Sequence, residues 1–197
     1  MTTATQLYLA SQSPRRRELL QQIGIKFRVQ APNVNEVALP RESPTEYVER
    51  IARIKAEVAW ARVVERRVER YPVLAADTAV ILGRRILGKP QSDAEAASML
   101  LSLSGRTHQV ITAVAMAFEG KLKVARSESA VTFRRFASAE IAHYVASGEP
   151  HDKAGAYAVQ GLAAAFISRI EGSYSGVMGL PLFETSRLLK SFGVQVL

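Results

Sequence analysis

The sequence predicts an α/β protein with a mixed β-sheet and flanking helices. Segments with strand character alternate with segments of helical character along the whole chain. Two helix starts are marked by capping boxes, at Ser43–Glu46 and Ser92–Glu95, the first with a proline at the first helical position. Two long β-rich stretches flank the hairpin turn Glu119–Gly120. Since no repeat, low-complexity tract or linker interrupts the chain, we expect one domain over residues 1–197.

The first half is expected to alternate short strands with two helices. Ser13 is a good N-cap residue, Pro14 suits the first position of a helix, and Gly24 is typical of a helix end. The predicted elements are a strand at Leu7–Ala10, a helix from Pro14 to Gly24, a strand with Phe27, Val29 and Ala31 on alternate positions, a long helix opened by Ser43, and a central strand at Val73–Leu82 closed by Gly83.

The second half is expected to contain longer strands and three helices. The predicted elements are a helix from Ser92 to about Ser104–Gly105, strands at His108–Phe118 and Leu122–Phe133, a helix at Ala139–Ser147, a polar loop at Gly148–Gly161, strands at Ala164–Ile170 and Ser175–Met178, and a helix from Pro181 to Phe192.

Composition narrows the class of protein. The net charge of +8 is compatible with an anionic partner, such as nucleic acid, a nucleotide or an acidic membrane surface, but it does not decide among these and a solvated basic surface. Without cysteine, the chain has no disulfide, thiol catalysis or cysteine-based zinc site. No apolar run approaches the roughly 20 residues of a membrane helix, and the first residues lack signal-peptide character. We therefore expect a cytoplasmic protein that does not enter a membrane.

The turn from Ser11 to Arg17 combines a helix start with positive side chains. A helix N-terminus presents backbone N–H groups and the positive end of a dipole, yet arginines follow the cap at positions 15, 16 and 17. A bound anion would resolve this conflict, because guanidinium groups match phosphate oxygens. The alternative is a surface helix whose arginines point into water, and the residues alone leave both interpretations open.

Lys55 and Asp77 are polar residues within apolar patterns. Lys55 lies on the apolar stripe of its helix, so it either extends to the edge of the stripe or points into a site that needs a cation. Asp77 stands in the apolar strand Val73–Leu82, where a carboxylate needs a positive partner or a metal ion. Lys89 is a further candidate cation. Together with the Ser11–Arg17 turn, these residues suggest phosphate-ester or phosphoanhydride chemistry without naming a substrate.

Beyond this pattern, the sequence closely resembles the Maf family of nucleotide pyrophosphatases. The resemblance covers essentially the whole chain, in order, and a run of separate matches is more specific than any one of them. The matching motifs are Leu9–Leu20, Glu36, Arg53–Ala56, Ala76–Thr78, Gly88–Pro90, Leu103–His108, Asp152–Tyr157, Gln160–Gly161, Gly172–Tyr174 and Val177–Leu182.

The resemblance implies a fold and a reaction. The expected fold is an elongated, mixed and strongly bent sheet with a cleft between two lobes, related to inosine-triphosphate pyrophosphatases. The expected reaction is hydrolysis of a nucleoside triphosphate between the α and β phosphates, with a divalent cation such as Mg²⁺ or Mn²⁺. The residue types at positions 78 and 160, Thr and Gln, resemble those of the family branch that acts on dTTP and UTP. The sister branch, which acts on methylated GTP, has different residues at both positions.

The same resemblance implies a role for each site residue. Asp77, Lys55 and Lys89 are expected to be catalytic, and Glu36 with Asp77 to hold the metal. The residues expected to bind substrate are Ser11, Ser13, Arg15, Arg16, Thr78 and Gln160. Gln160 can match the N3–H and carbonyl groups of uracil or thymine through its carboxamide.

Two alternative functions follow from the same residues. A pyrophosphatase for another modified nucleotide, such as a modified purine, would share the phosphate site. A basic nucleic-acid-binding module would use the arginines on phosphates without turnover, but no recognised nucleic-acid motif is present and aromatic residues are not interleaved with the basic runs. We therefore expect a nucleoside triphosphate as the partner, no stable nucleic-acid complex, and a homodimer as one option for assembly.

Overall fold

The structure is a computed structural model that describes residues 5–196, and the chain forms two compact units. The first unit comprises the chain up to Asp77, Thr112–Ser127 and the segment from Gly179 onwards. The second comprises Thr78–Ile111 and Glu128–Met178. The expectations of a single two-lobed domain, of an elongated and bent sheet, and of a cleft stay predictions.

Seven strands and six α-helices are assigned within the described residues. They are β1 Leu7–Leu9, α1 Pro14–Gln22, β2 Phe27–Val29, α2 Pro44–Glu65, β3 Val73–Leu82, β4 Arg85–Leu87, α3 Asp93–Leu103, β5 Thr107–Phe118, β6 Lys121–Phe133, α4 Ser138–Ala146, β7 Ile167–Glu171, α5 Tyr174–Met178 and α6 Leu182–Ser191. Three short 3₁₀ helices occupy Glu149–Asp152, Ala154–Ala156 and Leu162–Phe166.

The strands form one mixed sheet, which confirms the predicted α/β class. The order of the strands is β2-β1-β3-β5-β6-β7, with β4 paired to β3. β1 runs parallel to both β2 and β3, with Leu9 opposite Leu74, whereas the β3–β4 and β6–β7 pairs are antiparallel. β3 is buried along most of its length, as an apolar run in a central strand predicts.

The helix starts agree with the sequence prediction to different degrees. At α2, the Ser43 hydroxyl accepts a hydrogen bond from the Glu46 backbone N–H, and the Glu46 carboxylate accepts one from the Ser43 N–H, so the capping box is confirmed. At α3, Ser92 caps the Glu95 N–H, but the Glu95 carboxylate accepts from Gln91 instead. Both arrangements satisfy N–H groups that a first turn leaves without a helical partner.

Several element predictions are wrong in type or extent. The predicted strand at Ser175–Met178 is the short helix α5, because Ser173 accepts hydrogen bonds from Val177 N–H through its backbone carbonyl and from Gly176 N–H through its hydroxyl. The predicted strand at Ala164–Ile170 begins only at Ile167, after a 3₁₀ helix.

Smaller differences from the predicted elements concern short elements and element ends. Ala31 lies beyond the end of β2, and the three-residue strand β4 was not predicted. The predicted loop Gly148–Gly161 contains two of the three 3₁₀ helices. These 3₁₀ helices are too short for hydrophobic periodicity to be recognised.

The core of the second unit surrounds a buried histidine. His108 is 2% exposed, its Nε2 lies 2.8 Å from the Tyr157 hydroxyl, and its ring packs edge-on against Phe133 and Tyr157. Its Nδ1 is buried without a hydrogen-bond partner. Burial lowers the pKa of His108 to about 4 from an ordinary value of 6.5, so the imidazole is neutral in the folded protein at neutral pH.

None of the helices in residues 5–196 has both the length and the apolar character needed to cross a membrane.

We predict that His108 makes the folded protein sensitive to acid. Unfolded chains protonate this histidine near its ordinary pKa of 6.5, whereas the folded protein resists protonation down to about 4. The stabilisation is therefore complete above pH 6.5 and is lost as the pH falls towards 4. Urea unfolding at pH 7.5 and 4.5 should show a decrease in unfolding free energy that is about 2 to 3 kcal/mol larger for the wild type than for His108→Gln. Parallel pH dependences would contradict this.

Candidate active site

Strand β3 places a carboxylate in a buried position of the first unit. The four preceding residues, Val73 to Ala76, are fully buried, and Asp77 is only 5% exposed. A buried charge of this kind is stable only when it is paired and hydrogen-bonded. The Lys55 ammonium supplies this partner, since its Nζ lies 2.8 Å from Asp77 Oδ1.

Lys55 comes from the middle of α2 and is shared by two acids. Its side chain is directed inward, which leaves the residue 8% exposed, so it does not extend to the solvent edge of the helix. Nζ also lies 2.8 Å from Glu36 Oε1. The Asp77 side chain is buried, whereas that of Glu36 is 48% exposed. The Lys55 ammonium therefore binds both the buried carboxylate of Asp77 and the partly exposed carboxylate of Glu36.

The environment raises the proton affinity of Asp77. Burial raises the pKa of this carboxyl above its ordinary value of 3.8, and the nearby Glu36 acts in the same direction. The positive charges of Lys55 and Arg16 oppose the change but do not cancel it. A carboxylate with a raised pKa is better suited to accept a proton from water than an ordinary exposed aspartate.

Arg16 is held against the end of the same buried segment. Its Nε donates to the Gly179 carbonyl at 2.8 Å, and its Nη1 donates to the Ala76 carbonyl at 2.8 Å and to Ser11 Oγ at 3.3 Å. These contacts position the guanidinium charge near Asp77, the residue after Ala76. Arg16 thus has a clear structural role in addition to the substrate contact that the sequence predicts.

The start of α1 differs in detail from the expected cap. Pro14 occupies the first turn as predicted, but the Ser13 side chain accepts no hydrogen bond from the helix. Instead, the Ser13 backbone N–H donates to the buried Ser11 hydroxyl at 3.2 Å. Arg15 is half-buried and Arg17 is exposed. Ser11, Ser13 and Arg16 are therefore brought together by one turn, as the sequence predicts.

Glu36 lies in an irregular segment that two further residues of α2 hold in place. The Tyr47 hydroxyl donates to the Glu36 carbonyl at 2.9 Å, and Arg50 Nη2 donates to the next carbonyl, that of Val37, at 3.1 Å. Arg50 also binds both carboxylate oxygens of Glu42, at 2.5 and 2.8 Å. Two adjacent peptide groups are thereby attached to the helix that carries Lys55.

Sequence reasoning missed Tyr47 and Arg50. The available signal was their position, since both precede Lys55 on α2, within the two turns that follow the capping box at Ser43. Burial, followed by the charges of Asp77 and Glu36, raises the pKa of Tyr47 to about 12. Tyr47 is therefore a hydrogen-bond donor at neutral pH, which is the role it has towards the Glu36 carbonyl.

The two acids have the chemistry needed for a divalent cation. Glu36 and Asp77 converge on a single positive group, the Lys55 ammonium, so their oxygens already face one cation position. Hard oxygen ligands suit Mg²⁺ and Mn²⁺, and Mg²⁺ often takes one or two carboxylates together with substrate phosphates. Residues 5–196 contain no cluster of three or more acidic, histidine or cysteine side chains that could hold a metal by themselves.

The remaining predicted site residues belong to the second unit. Thr78 follows Asp77 on β3 and is half-buried, whereas Lys89 and Gln160 are exposed. Gln160 lies between the buried Val159 and Gly161, just before a 3₁₀ helix. The proximity of these three side chains to Lys55 and its acids stays a prediction.

Comparison with known families agrees with the motif pattern. The family model described as "Maf-like protein" matches residues 6–192, which is nearly the whole chain. The chain belongs to the Maf family. The resemblance inferred from the ordered motifs is therefore confirmed.

Close relatives of this Maf protein carry one functional name. A protein of Nitrosomonas europaea named "dTTP/UTP pyrophosphatase" is 54% identical over 198 residues, covering 96% of each chain. A protein of Nitrosospira multiformis with the same name is also 54% identical, again covering 96% of each chain. A third, from Albidiferax ferrireducens, is 50% identical and covers 96% of this chain and 98% of its own.

One solved structure has a more distant likeness. The Ham1 protein of Staphylococcus aureus is 17% identical, with a TM-score of 0.46, and the match covers 66% of this chain and 72% of that one.

We predict that the shared cation stabilises this Maf protein. Lys55→Met removes the charge but keeps a stem of similar length, which leaves the Asp77 carboxylate buried without its nearest partner. The free energy of unfolding should fall by about 3 to 5 kcal/mol, and Asp77→Asn in the same chain should restore much of it. Urea unfolding at pH 7.5 measures both effects.

A matched control tests an ion pair at the surface. Arg126 lies 2.8 Å from Glu49, and the two side chains are 48% and 31% exposed, against 10% and 7% for Lys55 and Asp77. Arg126→Met should therefore cost less than about 1 kcal/mol. If Lys55→Met is as well tolerated as Arg126→Met, Asp77 does not depend on Lys55.

Proposed function

We propose that this Maf protein is a nucleoside triphosphate pyrophosphatase that hydrolyses dTTP and UTP to the monophosphate and pyrophosphate. The observation that carries the proposal is the buried carboxylate of Asp77, whose pKa is raised and which is paired to Lys55. This pair lies close to Arg16 at the start of α1. The names of the close relatives support the same reaction and the same two substrates.

The proposed chemistry is a displacement at the α-phosphorus. The oxygen of a water molecule forms a bond to this phosphorus, and the bond between the phosphorus and the α–β bridging oxygen breaks. Asp77 accepts the proton of the water, as its raised pKa favours. Pyrophosphate leaves with the bonding electron pair, and the nucleoside monophosphate retains the new oxygen.

The proposed cations stabilise the charge of the triphosphate. Lys55 and Arg16 are already oriented near Asp77 by their own contacts, and Arg15 with Lys89 would add charge on the phosphates. Fixed cations of this kind stabilise the charge that develops on leaving pyrophosphate. The remaining proposed contacts to phosphate are the hydroxyls of Ser11 and Ser13.

The proposed cofactor is a divalent cation, with Mg²⁺ or Mn²⁺ held by Glu36 and Asp77. When bound, such an ion neutralises phosphate charge and polarises the scissile bond. The convergence of the two carboxylates on Lys55 Nζ, at 2.8 Å each, supports this assignment. Tyr47 and Arg50 would keep Glu36 in place for this role.

The proposed base contacts are Gln160 and Thr78. A carboxamide offers both a donor and an acceptor, which suits the N3–H and carbonyl groups of uracil and thymine. One methyl group changes binding by only about 1 to 3 kcal/mol in an apolar pocket, so both bases and 5-substituted uridine triphosphates should be accepted. A cytoplasmic location, where nucleoside triphosphates are abundant, belongs to the same proposal.

We predict that UTP yields UMP and pyrophosphate. Purified protein with Mg²⁺ or Mn²⁺ should be assayed against normal and modified triphosphates, with products separated by ion-exchange chromatography. UMP and pyrophosphate should appear in equal amounts, because the break lies between the α and β phosphates. Formation of UDP with orthophosphate would contradict the proposed reaction, whereas a preference for a modified purine would contradict the proposed substrate.

We predict that Asp77→Asn removes turnover while preserving the fold. The change is nearly isosteric, and Lys55 keeps Glu36 as a partner. Turnover of UTP should fall by roughly 100-fold or more, because the amide cannot accept the proton. Asp93→Asn, at a highly exposed acid of α3, should leave turnover unchanged. Activity of Asp77→Asn within a few-fold of the wild type would show that Asp77 is only structural.

A further inference from the structure

The carboxylate of Glu149 supports the segment that follows Gln160. Its Oε2 accepts a hydrogen bond from the Leu162 backbone N–H at 2.9 Å, and its Oε1 accepts one from the Ala163 N–H at 3.4 Å. The Tyr144 hydroxyl, from α4, donates to Oε1 at 2.7 Å. One carboxylate therefore joins α4 to the first turn of the 3₁₀ helix Leu162–Phe166, which has no side-chain cap of its own.

The same carboxylate explains why position 161 is a glycine. A Cβ atom on Gly161 would lie 2.5 Å from Glu149 Oε1 and 2.5 Å from its Cδ, far inside van der Waals contact. The backbone itself does not require glycine, because φ is −106° and ψ is −154°, an extended conformation open to any residue. Glycine is needed here because the Glu149 carboxylate lies against its Cα.

Gln160 is thereby fixed on both sides. Before it, Val159 is buried in the core of the second unit, and after it Gly161 lies against Glu149. The Gly161 N–H donates to the Ala158 carbonyl at 3.1 Å and closes a turn around Gln160. The Gln160 side chain is exposed at the apex of this turn, so its direction depends on the turn and on what holds it.

We propose that Glu149 is a positioning residue for base selection: it holds the turn that presents the Gln160 carboxamide to the pyrimidine. This inference rests on the proposed function, in which Gln160 reads uracil and thymine. Glu149 acts through Gln160 and does not touch substrate. Loss of Glu149 should therefore affect the choice between bases more than the chemistry at phosphorus, which the first unit is proposed to perform.

The experiment compares UTP with CTP, because cytosine differs from uracil at the groups that a carboxamide reads. In Glu149→Ala, the ratio of kcat/KM for UTP to that for CTP should fall about tenfold, the effect of one misplaced hydrogen bond. Most of the change should appear as a higher KM for UTP. Glu149→Gln, which keeps one acceptor oxygen, should lie between Glu149→Ala and the wild type. Glu171→Gln, at an exposed acid of β7, should leave the ratio unchanged.

Gly161 supplies an independent test of the contact. Gly161→Ala alone should lower the UTP preference as Glu149→Ala does, because its methyl group displaces the carboxylate. Added to Glu149→Ala, the same change should have little further effect on the preference or on the melting temperature, since the overlap is gone. Fully additive effects of the two substitutions would overturn the proposal.

Gln160→Ala separates failure of the inference from failure of the proposed function. If Gln160→Ala lowers the UTP preference and Glu149→Ala does not, base reading stands and the role of Glu149 is wrong. If Gln160→Ala keeps the wild-type preference, base reading by Gln160 is wrong and the inference falls with it. If Glu149→Ala and Glu149→Gln lower kcat for both substrates equally and reduce the melting temperature, Glu149 is structural only.

Discussion

The ion pair between Lys55 and Asp77 is the constraint on which the rest of the site depends. A carboxylate that follows four fully buried residues of β3 would be expelled or neutralised without a positive partner. That partner has to come from another element, and α2 supplies it from a position 8% exposed. The Nζ of Lys55 also holds Glu36, so one ammonium group determines the placement of both acids.

The support around this pair consists largely of side chains that bind backbone carbonyls. Arg16 donates to the carbonyls of Ala76 and Gly179, and Tyr47 and Arg50 donate to those of Glu36 and Val37. Carbonyl contacts position a charged group without neutralising it. The Arg16 guanidinium is therefore held in place by carbonyl groups that do not cancel its charge, which suits electrostatic stabilisation of a phosphate.

Much of the fold could be predicted because it follows from local patterns. The apolar run of β3 and the capping box at Ser43 depend on neighbours within a few residues, and both are found where expected. One error concerns an element whose conformation is set by a distant group. The 3₁₀ helix Leu162–Phe166 replaces the start of a predicted strand because its first N–H groups bind Glu149, 13 and 14 residues earlier in the chain.

For the candidate site, the sequence by itself determined the family, the buried position of Asp77 and the cationic character of the helix start at Ser13. These properties follow from residue type and spacing. Only the tertiary structure decided that Lys55 turns inward to two acids, that Arg16 reaches a carbonyl 163 residues away, and that Tyr47 and Arg50 hold the Glu36 segment. The physical reason is that periodicity specifies which face of an element is buried, whereas atomic partners depend on how separate elements pack.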